Sequence, residues 1–230
     1  HGGRLELVPG TDDFDINVEA ISEKIGPDVA AVLINSPNNP TGSIYPEATI
    51  NALGEMLAQR SREVGRTIYL VSDEPYRHIV YDGNLVPSIF EHYPHSIVVS
   101  SYSKELSIPG ERIGWIAVDP RAEDAPGLVR AMILCTRILG FVNAPAMMQR
   151  AVGRLTDVHV DIEPYRIRRD MIYNGLRSAG YDLEQPKGTF YAFPRSPIRD
   201  EMAFVKALQD ELILVVPGRG FGAPGYFRIS

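Results

Sequence analysis

Ser100-Ser101-Tyr102-Ser103-Lys104 continues the run Ser96-Ile97-Val98-Val99, and Arg112-Ile113-Gly114 begins eight residues after the lysine. The run from Ser96 to Ser101 reads as a buried strand, which puts Lys104 just past a strand end. The same arrangement occurs twice upstream. The apolar run Val29 to Ile34 leads into Asn35-Ser36-Pro37-Asn38-Asn39-Pro40-Thr41-Gly42, and the run Ile68 to Val71 leads into Ser72-Asp73-Glu74-Pro75-Tyr76. Each strand-like run thus delivers a specific polar group at its carboxyl end, where open α/β sheets bind ligands.

Outward from these points the pattern alternates strand and helix. Val29 to Ile34 is β-branched and nearly continuous, which predicts a strand covered on both faces. A helix is expected from about Pro46, with Ile50, Leu53 and Leu57 on one face and Gly65 as its stop. Thr67 to Ser72 is the next buried strand, and a turn at Asp82-Gly83 precedes Ser96 to Ser101. The spacing leaves room for crossovers, so a parallel sheet is expected. Ile113 to Val118 follows Lys104 too closely for a crossover and is expected to pair antiparallel. Helices are expected over Leu128 to Leu139, over Ala146 to Leu155 and from Pro164 to Gly180. A strand (Thr189 to Phe193), a helix (Glu201 to Leu212), a short strand (Ile213 to Val216), a Gly-rich loop and a last strand complete the chain. The expected class is α/β: a mostly parallel sheet with flanking helices over residues 1–164, then a smaller α+β domain over residues 165–230.

Composition narrows the function. A net charge of −6 with no basic stripe argues against nucleic acid as partner. The single cysteine, Cys135, permits no internal disulfide and points to a reducing, cytoplasmic setting. No apolar run is long enough to span a bilayer, and no partner membrane is expected. The chain opens at His1, close to the strand-like segment Arg4 to Val8, and stops at Ser230 inside another, Tyr226 to Ser230. Domains usually end in loosely held residues, so a piece of a longer protein is expected.

A lysine, a carboxylate and hydroxyls at neighbouring strand ends suit a carbonyl cofactor. A pyridine aldehyde needs an amine to condense with it and a carboxylate to keep the ring nitrogen protonated. It also needs donors for the ring oxygen, and hydroxyls with an arginine for a phosphate.

Asn39-Pro40-Thr41-Gly42, Asp73-x-x-Tyr76, Ser101-x-Ser103-Lys104, Arg112-Ile113-Gly114 and the final Phe227-Arg228-Ile229-Ser230 resemble, in order and spacing, the motifs of class I/II aminotransferases. These are fold-type I enzymes that use pyridoxal 5'-phosphate, and the resemblance runs from about residue 30 to the end of the chain. It implies that Lys104 carries the cofactor and shuttles a proton. Asp73 is implied to pair with the ring nitrogen, and Tyr76 and Asn39 to bond the ring oxygen. Ser101, Ser103 and Arg112 are implied to hold the phosphate, and Arg228, with Asn39, the substrate carboxylate. The implied reaction moves an amino group from an α-amino acid to a 2-oxo acid, in a homodimer. The family's earlier segment, with a Gly-rich phosphate turn and a ring-stacking aromatic, has no counterpart here. Two related expectations share the same residues: a β-lyase on this fold, and an aminotransferase-like sensing domain of a transcription regulator.

Each residue also has a plainer reading. Lys104 could be a solvated lysine, Asp73 a turn former, Asn39 to Gly42 only a turn, and Ser101 and Ser103 capping hydroxyls. Arg112 could pair with Glu111, and Arg228 with a structural carboxylate. Gly218-x-Gly220-x-x-Ala223 matches a dinucleotide fingerprint by letter, but Pro224-Gly225 forbids the helix it must open. His92-x-x-His95 is interrupted by Pro94, so no metal site is assigned. Tyr102, Trp115 and Tyr191 read as packing residues, although Thr189 to Tyr191 resembles a family segment near the substrate.

Overall fold

The computed structural model describes residues 2–230. Its first element is a helix that the sequence reading passes over: α1, Val18–Lys24, capped by the Asn17 side chain, which accepts from the Ala20 N–H. Strand β1 (Ala31–Asn35) leads through the Asn39 turn to α2 (Glu47–Val64). Pro46 sits at the N-cap of α2, and Gly65 ends it with φ of 72°, a conformation that favours glycine. Strand β2 (Tyr69–Asp73), the short helix α3 (Ile89–His92) and strand β3 (Ser96–Ser101) follow. A single turn of helix, α4 (Tyr102–Glu105), carries Lys104, and β4 (Gly114–Val118) returns along β3.

The sheet order is β1-β2-β3-β4. The first three strands are parallel and β4 is antiparallel, as the short connection after Lys104 requires. Asn35 lies opposite Asp73, Asp73 opposite Val99, and Ser101 opposite Gly114. The register therefore aligns the carboxyl ends of β1, β2 and β3 along one edge. Beneath it, Ile50, Leu53 and Leu57 of α2 pack with Ile34, Leu70, Val98 and Tyr93 in one apolar core. Gly54 lets α2 approach α3, since a Cβ there would lie 2.5 Å from the His92 carbonyl oxygen.

Helices α5 (Ala125–Ile138), α6 (Ala146–Val152), α7 (Glu163–Ser178) and α8 (Glu201–Asp210) fall where the periodicity puts them, within a few residues. A two-stranded antiparallel sheet, β5 (Val216–Pro217) with β6 (Phe227–Arg228), closes the chain. This terminal part is stitched to the loop after β2. Thr189 N–H donates to the Ile79 carbonyl at 2.8 Å, and the Arg169 guanidinium meets the Asp82 carboxylate at 2.8 and 3.1 Å.

Four expectations are corrected. Arg4 to Val8 forms no strand. Thr189 to Phe193 is irregular and makes only isolated bridges, because Thr189 adopts φ of 65°, outside the β region. The strand expected at Ile213 to Val216 is confined to Val216–Pro217, after Leu212 at φ of 62°. Among the described residues strand β1 is covered on one face only: α1 and α2 pack on the Val32 and Ile34 side, and Leu33 on the other face is 67% exposed.

Candidate active site

Asn35, the last residue of β1, organises the first corner of the site. Its Nδ2 donates to the Asp73 carbonyl at 2.8 Å and approaches the Asp73 carboxylate at 3.4 Å, while its Oδ1 accepts from the Asn39 N–H at 2.7 Å. The turn that follows is tight. Thr41 Oγ1 and the Asn38 side-chain oxygen lie 2.9 Å apart, and Gly42 at φ of 71° accepts from the N–H groups of Lys187 and Gly188, both at 2.9 Å. The Asn39 turn is thereby fixed against both β2 and the C-terminal part of the chain.

Asp73 ends β2, half-buried. Burial, and then the neighbouring Glu74, push its carboxyl above the ordinary range. Glu74 itself is buried and paired with Arg77 at 2.6 Å. Among the described residues no arginine or lysine comes within ion-pair distance of Asp73. Tyr76, in the turn after β2, is buried, and its hydroxyl lies 2.7 Å from that of Tyr191. Burial and the Tyr191 hydroxyl raise its pKa, so it stays a phenol at neutral pH. The same hydroxyl is near enough to Asp73 and Arg228 to sense both charges.

Arg228 of β6 reaches the Asn39 turn, its Nη1 donating to Asn39 Oδ1 at 2.9 Å. Its guanidinium is flanked by the rings of Tyr191 (4.4 Å) and Phe221 (5.0 Å). Its Nε is buried with no hydrogen-bond partner. No structural carboxylate pairs with it among the described residues, so the plainer reading of this arginine does not hold. Lys104, in α4, sets its Nζ 5.5 Å from the Phe190 ring centroid, and Phe190 in turn meets Tyr76 edge-on at 5.5 Å. Asn39, Arg228, Tyr191, Tyr76, Phe190 and Lys104 therefore form one chain of contacts across elements far apart in sequence.

The remaining sequence candidates lie along the β3–β4 connection. Ser101 ends β3, Ser103 follows in α4, and the Tyr102 N–H donates to the Ile113 carbonyl at 3.2 Å, bringing the Arg112 segment back beside them. Arg112 is exposed at φ of 51° and donates to the Pro109 carbonyl at 2.6 Å rather than pairing with Glu111. Gly114 presses on the strand end, for a Cβ there would lie 2.6 Å from the Ser100 carbonyl oxygen. Gly218 to Phe221 is a short 3-10 turn, not a helix opening, and it supplies the Phe221 ring to Arg228. His92 and His95 do not converge: His92 faces Asn51 and Glu47, and His95 accepts from the Glu123 N–H.

The donor set fits the pyridine cofactor that the sequence implies. Asp73 is a half-buried carboxylate without a cation, the partner that a protonated ring nitrogen requires. Lys104 offers an amine at the same sheet edge. The orphaned Nε of Arg228 is the donor a substrate carboxylate would satisfy, since a guanidinium grips carboxylates through paired N–H groups. Sequence reasoning missed Asn35 and Phe221, touched Phe190 only as part of the Thr189 to Tyr191 segment, and set Tyr191 aside as packing. The one signal for Tyr191 was the Gly188-Thr189-Phe190-Tyr191 segment.

A family model described as "Aminotransferase class I and II" matches residues 1–230. A relative from Methanocaldococcus jannaschii named "Probable aspartate aminotransferase" is 30% identical, over 99% of this chain and 60% of its own length. The "Aspartate/prephenate aminotransferase" of Thermus thermophilus is 31% identical, over 98% of this chain and 58% of its own. A crystal structure of an amino transferase from Eubacterium rectale superposes with a TM-score of 0.91 at 42% identity, covering 95% of this chain and 55% of that one. The chain thus spans about 60% of the length of these relatives.

Proposed function

This chain belongs to the class I and II aminotransferase family, and from that premise we propose that the complete protein is a pyridoxal-phosphate-dependent aminotransferase. It moves an amino group from an α-amino acid to a 2-oxo acid. The observation that carries the proposal is the contact chain from Asn39 through Arg228, Tyr191 and Tyr76 to Phe190 and Lys104, with the uncompensated Asp73 beside it. The relatives described above are all aminotransferases by name, so the β-lyase and regulatory readings gain nothing from them.

Bound pyridoxal phosphate supplies an aldehyde and an electron-withdrawing pyridinium ring. Asp73 would pair with the protonated ring nitrogen, and its burial would strengthen that pairing because little water competes. Asn39 Oδ1 is engaged by Arg228, which orients the amide so that Nδ2 is free to donate to the ring oxygen. Tyr76 would donate to the same oxygen with Tyr191 donating to Tyr76, a direction that the 2.7 Å contact permits. Lys104 would provide the amine that holds the aldehyde and would serve as the base for the proton at the substrate α-carbon. Ser101, Ser103 and Arg112 bind phosphate from the β3–β4 connection. Arg228 fixes the substrate carboxylate with a geometry that lysine cannot copy.

We place the boundary between the cofactor-binding part and the small C-terminal part at residues 164 and 165, a division supported by the separate two-stranded sheet. Within the family reading the complete protein is a homodimer of the reducing cytoplasm; the unpaired Cys135 supports that setting. Among the described residues no helix is long and apolar enough to cross a membrane.

The test is a half-reaction. The complete protein loaded with pyridoxal phosphate should shift its cofactor absorbance to that of the amine form on addition of an amino acid, and recover on addition of a 2-oxo acid. Pyruvate and ammonia released from a cysteine conjugate, without that reversible shift, would instead support the lyase.

A further inference from the structure

We propose that His78, Glu105 and His159 form a binding site for a single divalent transition-metal ion of the zinc type. The three residues come from the turn after β2, from α4 directly after Lys104, and from the loop before α7. One ligand atom from each lies within 4.8 Å of the others. His78 Nε2 is 3.6 Å and His159 Nδ1 is 3.2 Å from the same Glu105 oxygen, Oε1.

Those separations are informative. Zinc binds imidazole nitrogen and carboxylate oxygen at about 2.0–2.2 Å with tetrahedral geometry, which spaces neighbouring donors by roughly 3.3–3.6 Å. At 3.6 Å the His78 contact is too long for a hydrogen bond, whereas the 3.2 Å His159 contact is within ion-pair range, so a metal ion would compete with a proton on that imidazole. The two imidazoles stack nearly parallel, 4.1 Å apart at 10°, so one ring must turn about its χ2 bond to aim both lone pairs at one ion, and the partial exposure of both side chains, 41% and 34%, leaves room for that turn. Glu105 is mostly buried, with 13% of its side chain exposed, while both rings reach solvent. The carboxylate is thus shielded while the entry side is open. The nearby Arg77 is engaged elsewhere, with Glu74 at 2.6 Å and the Val86 carbonyl at 3.0 Å.

Two histidines and one carboxylate leave a fourth position for water, an open site rather than a closed structural one. The backbone already ties two of the segments together, as the Val160 N–H donates to the Glu105 carbonyl at 2.9 Å. A bound ion adds the third, joining the Tyr76 turn to the turn that bears Lys104. Ligation rests on these side chains alone and does not require the cofactor reading.

Cobalt(II) is the probe, titrated into the complete protein after chelator treatment. The expected result is a saturable visible spectrum of the intense, low-coordinate type, displaced by zinc. Affinity should fall at least tenfold in His78→Ala, His159→Ala and Glu105→Gln, with far-UV circular dichroism unchanged. Glu105→Gln changes one side-chain atom and keeps the comparison valid where a histidine variant does not fold. A spectrum of hydrated six-coordinate cobalt only, or a low-coordinate spectrum equally strong in Glu105→Gln, overturns the proposal.

Discussion

The hydroxyls of Tyr76 and Tyr191 meet at 2.7 Å although 115 residues separate them in the chain. This contact joins the turn after β2, which follows Asp73, to the irregular segment that flanks Arg228. The groups proposed to face the cofactor and those proposed to face the substrate are therefore in direct contact. Removing the Tyr191 hydroxyl by Tyr191→Phe leaves the buried Tyr76 hydroxyl short of its partner. The expected cost is about 1–3 kcal/mol of stability, read by urea denaturation. The Tyr76 phenol should also titrate at lower pH than before, still above the ordinary tyrosine value because burial is its largest cause.

Arg228→Lys keeps the charge and discards the paired donors. The aromatic flanks and the Asn39 contact were shaped for a planar guanidinium. Loss of a hydrogen bond to a charged group costs about 1.5–3 kcal/mol, so kcat/KM for amino donors should fall roughly ten- to a hundredfold. Steady-state kinetics with several donors checks this, and the loss should be similar for all of them because the carboxylate is common to all.

Asp73 carries a stability cost that its proposed role at the ring nitrogen would explain. Its folded-state pKa lies above that of the unfolded chain, so the folded state binds more protons between the two values. Stability then falls as pH rises through that window, and the penalty is fully present at neutral pH. Asp73→Asn should therefore raise the thermal midpoint of the cofactor-free protein at neutral pH. The gain should vanish below the ordinary carboxylate range, where Asp73 is protonated in both states. The same variant should lose transamination, since an amide cannot keep the ring nitrogen protonated.

Gly42 is the last residue of the Asn39 turn and is pinned against the C-terminal part. A Cβ there would lie 2.6 Å from Pro186 Cβ and 2.9 Å from the Gly188 carbonyl, at a φ that side chains resist. Gly42→Ala should cost about 1–3 kcal/mol. It should also weaken the hold of Asn39 on Arg228, visible as a higher KM for the amino donor.

The parts of this site that the sequence discloses are those built on local signals. The run Ser96 to Ser101 folds as a strand with those bounds, and Asp73 falls on the last residue of its strand. A β-branched run has one way to bury itself, and the polar residue that ends it must lie at the sheet edge. The residues that stayed hidden depend on tertiary approach. Phe190 and Tyr191 lie on a segment that reads as a strand but is bent by Thr189 at positive φ, so no periodicity marks which ring faces the site. Leu33 reads as doubly buried because β-branching reports strand, not which faces are covered. His78 and His159 stack at 4.1 Å although 81 positions separate them in the chain, and no spacing rule links them.

The central claim is a covalent one, that the amine of Lys104 holds the cofactor aldehyde. Borohydride reduction of the complete protein loaded with pyridoxal phosphate, followed by peptide mass mapping, tests it directly. The expected result is one phosphopyridoxyl group on the peptide containing Lys104, and none after Lys104→Ala. Labelling at Lys24, Lys187 or Lys206 in preference to Lys104, or labelling unchanged in the variant, would contradict it.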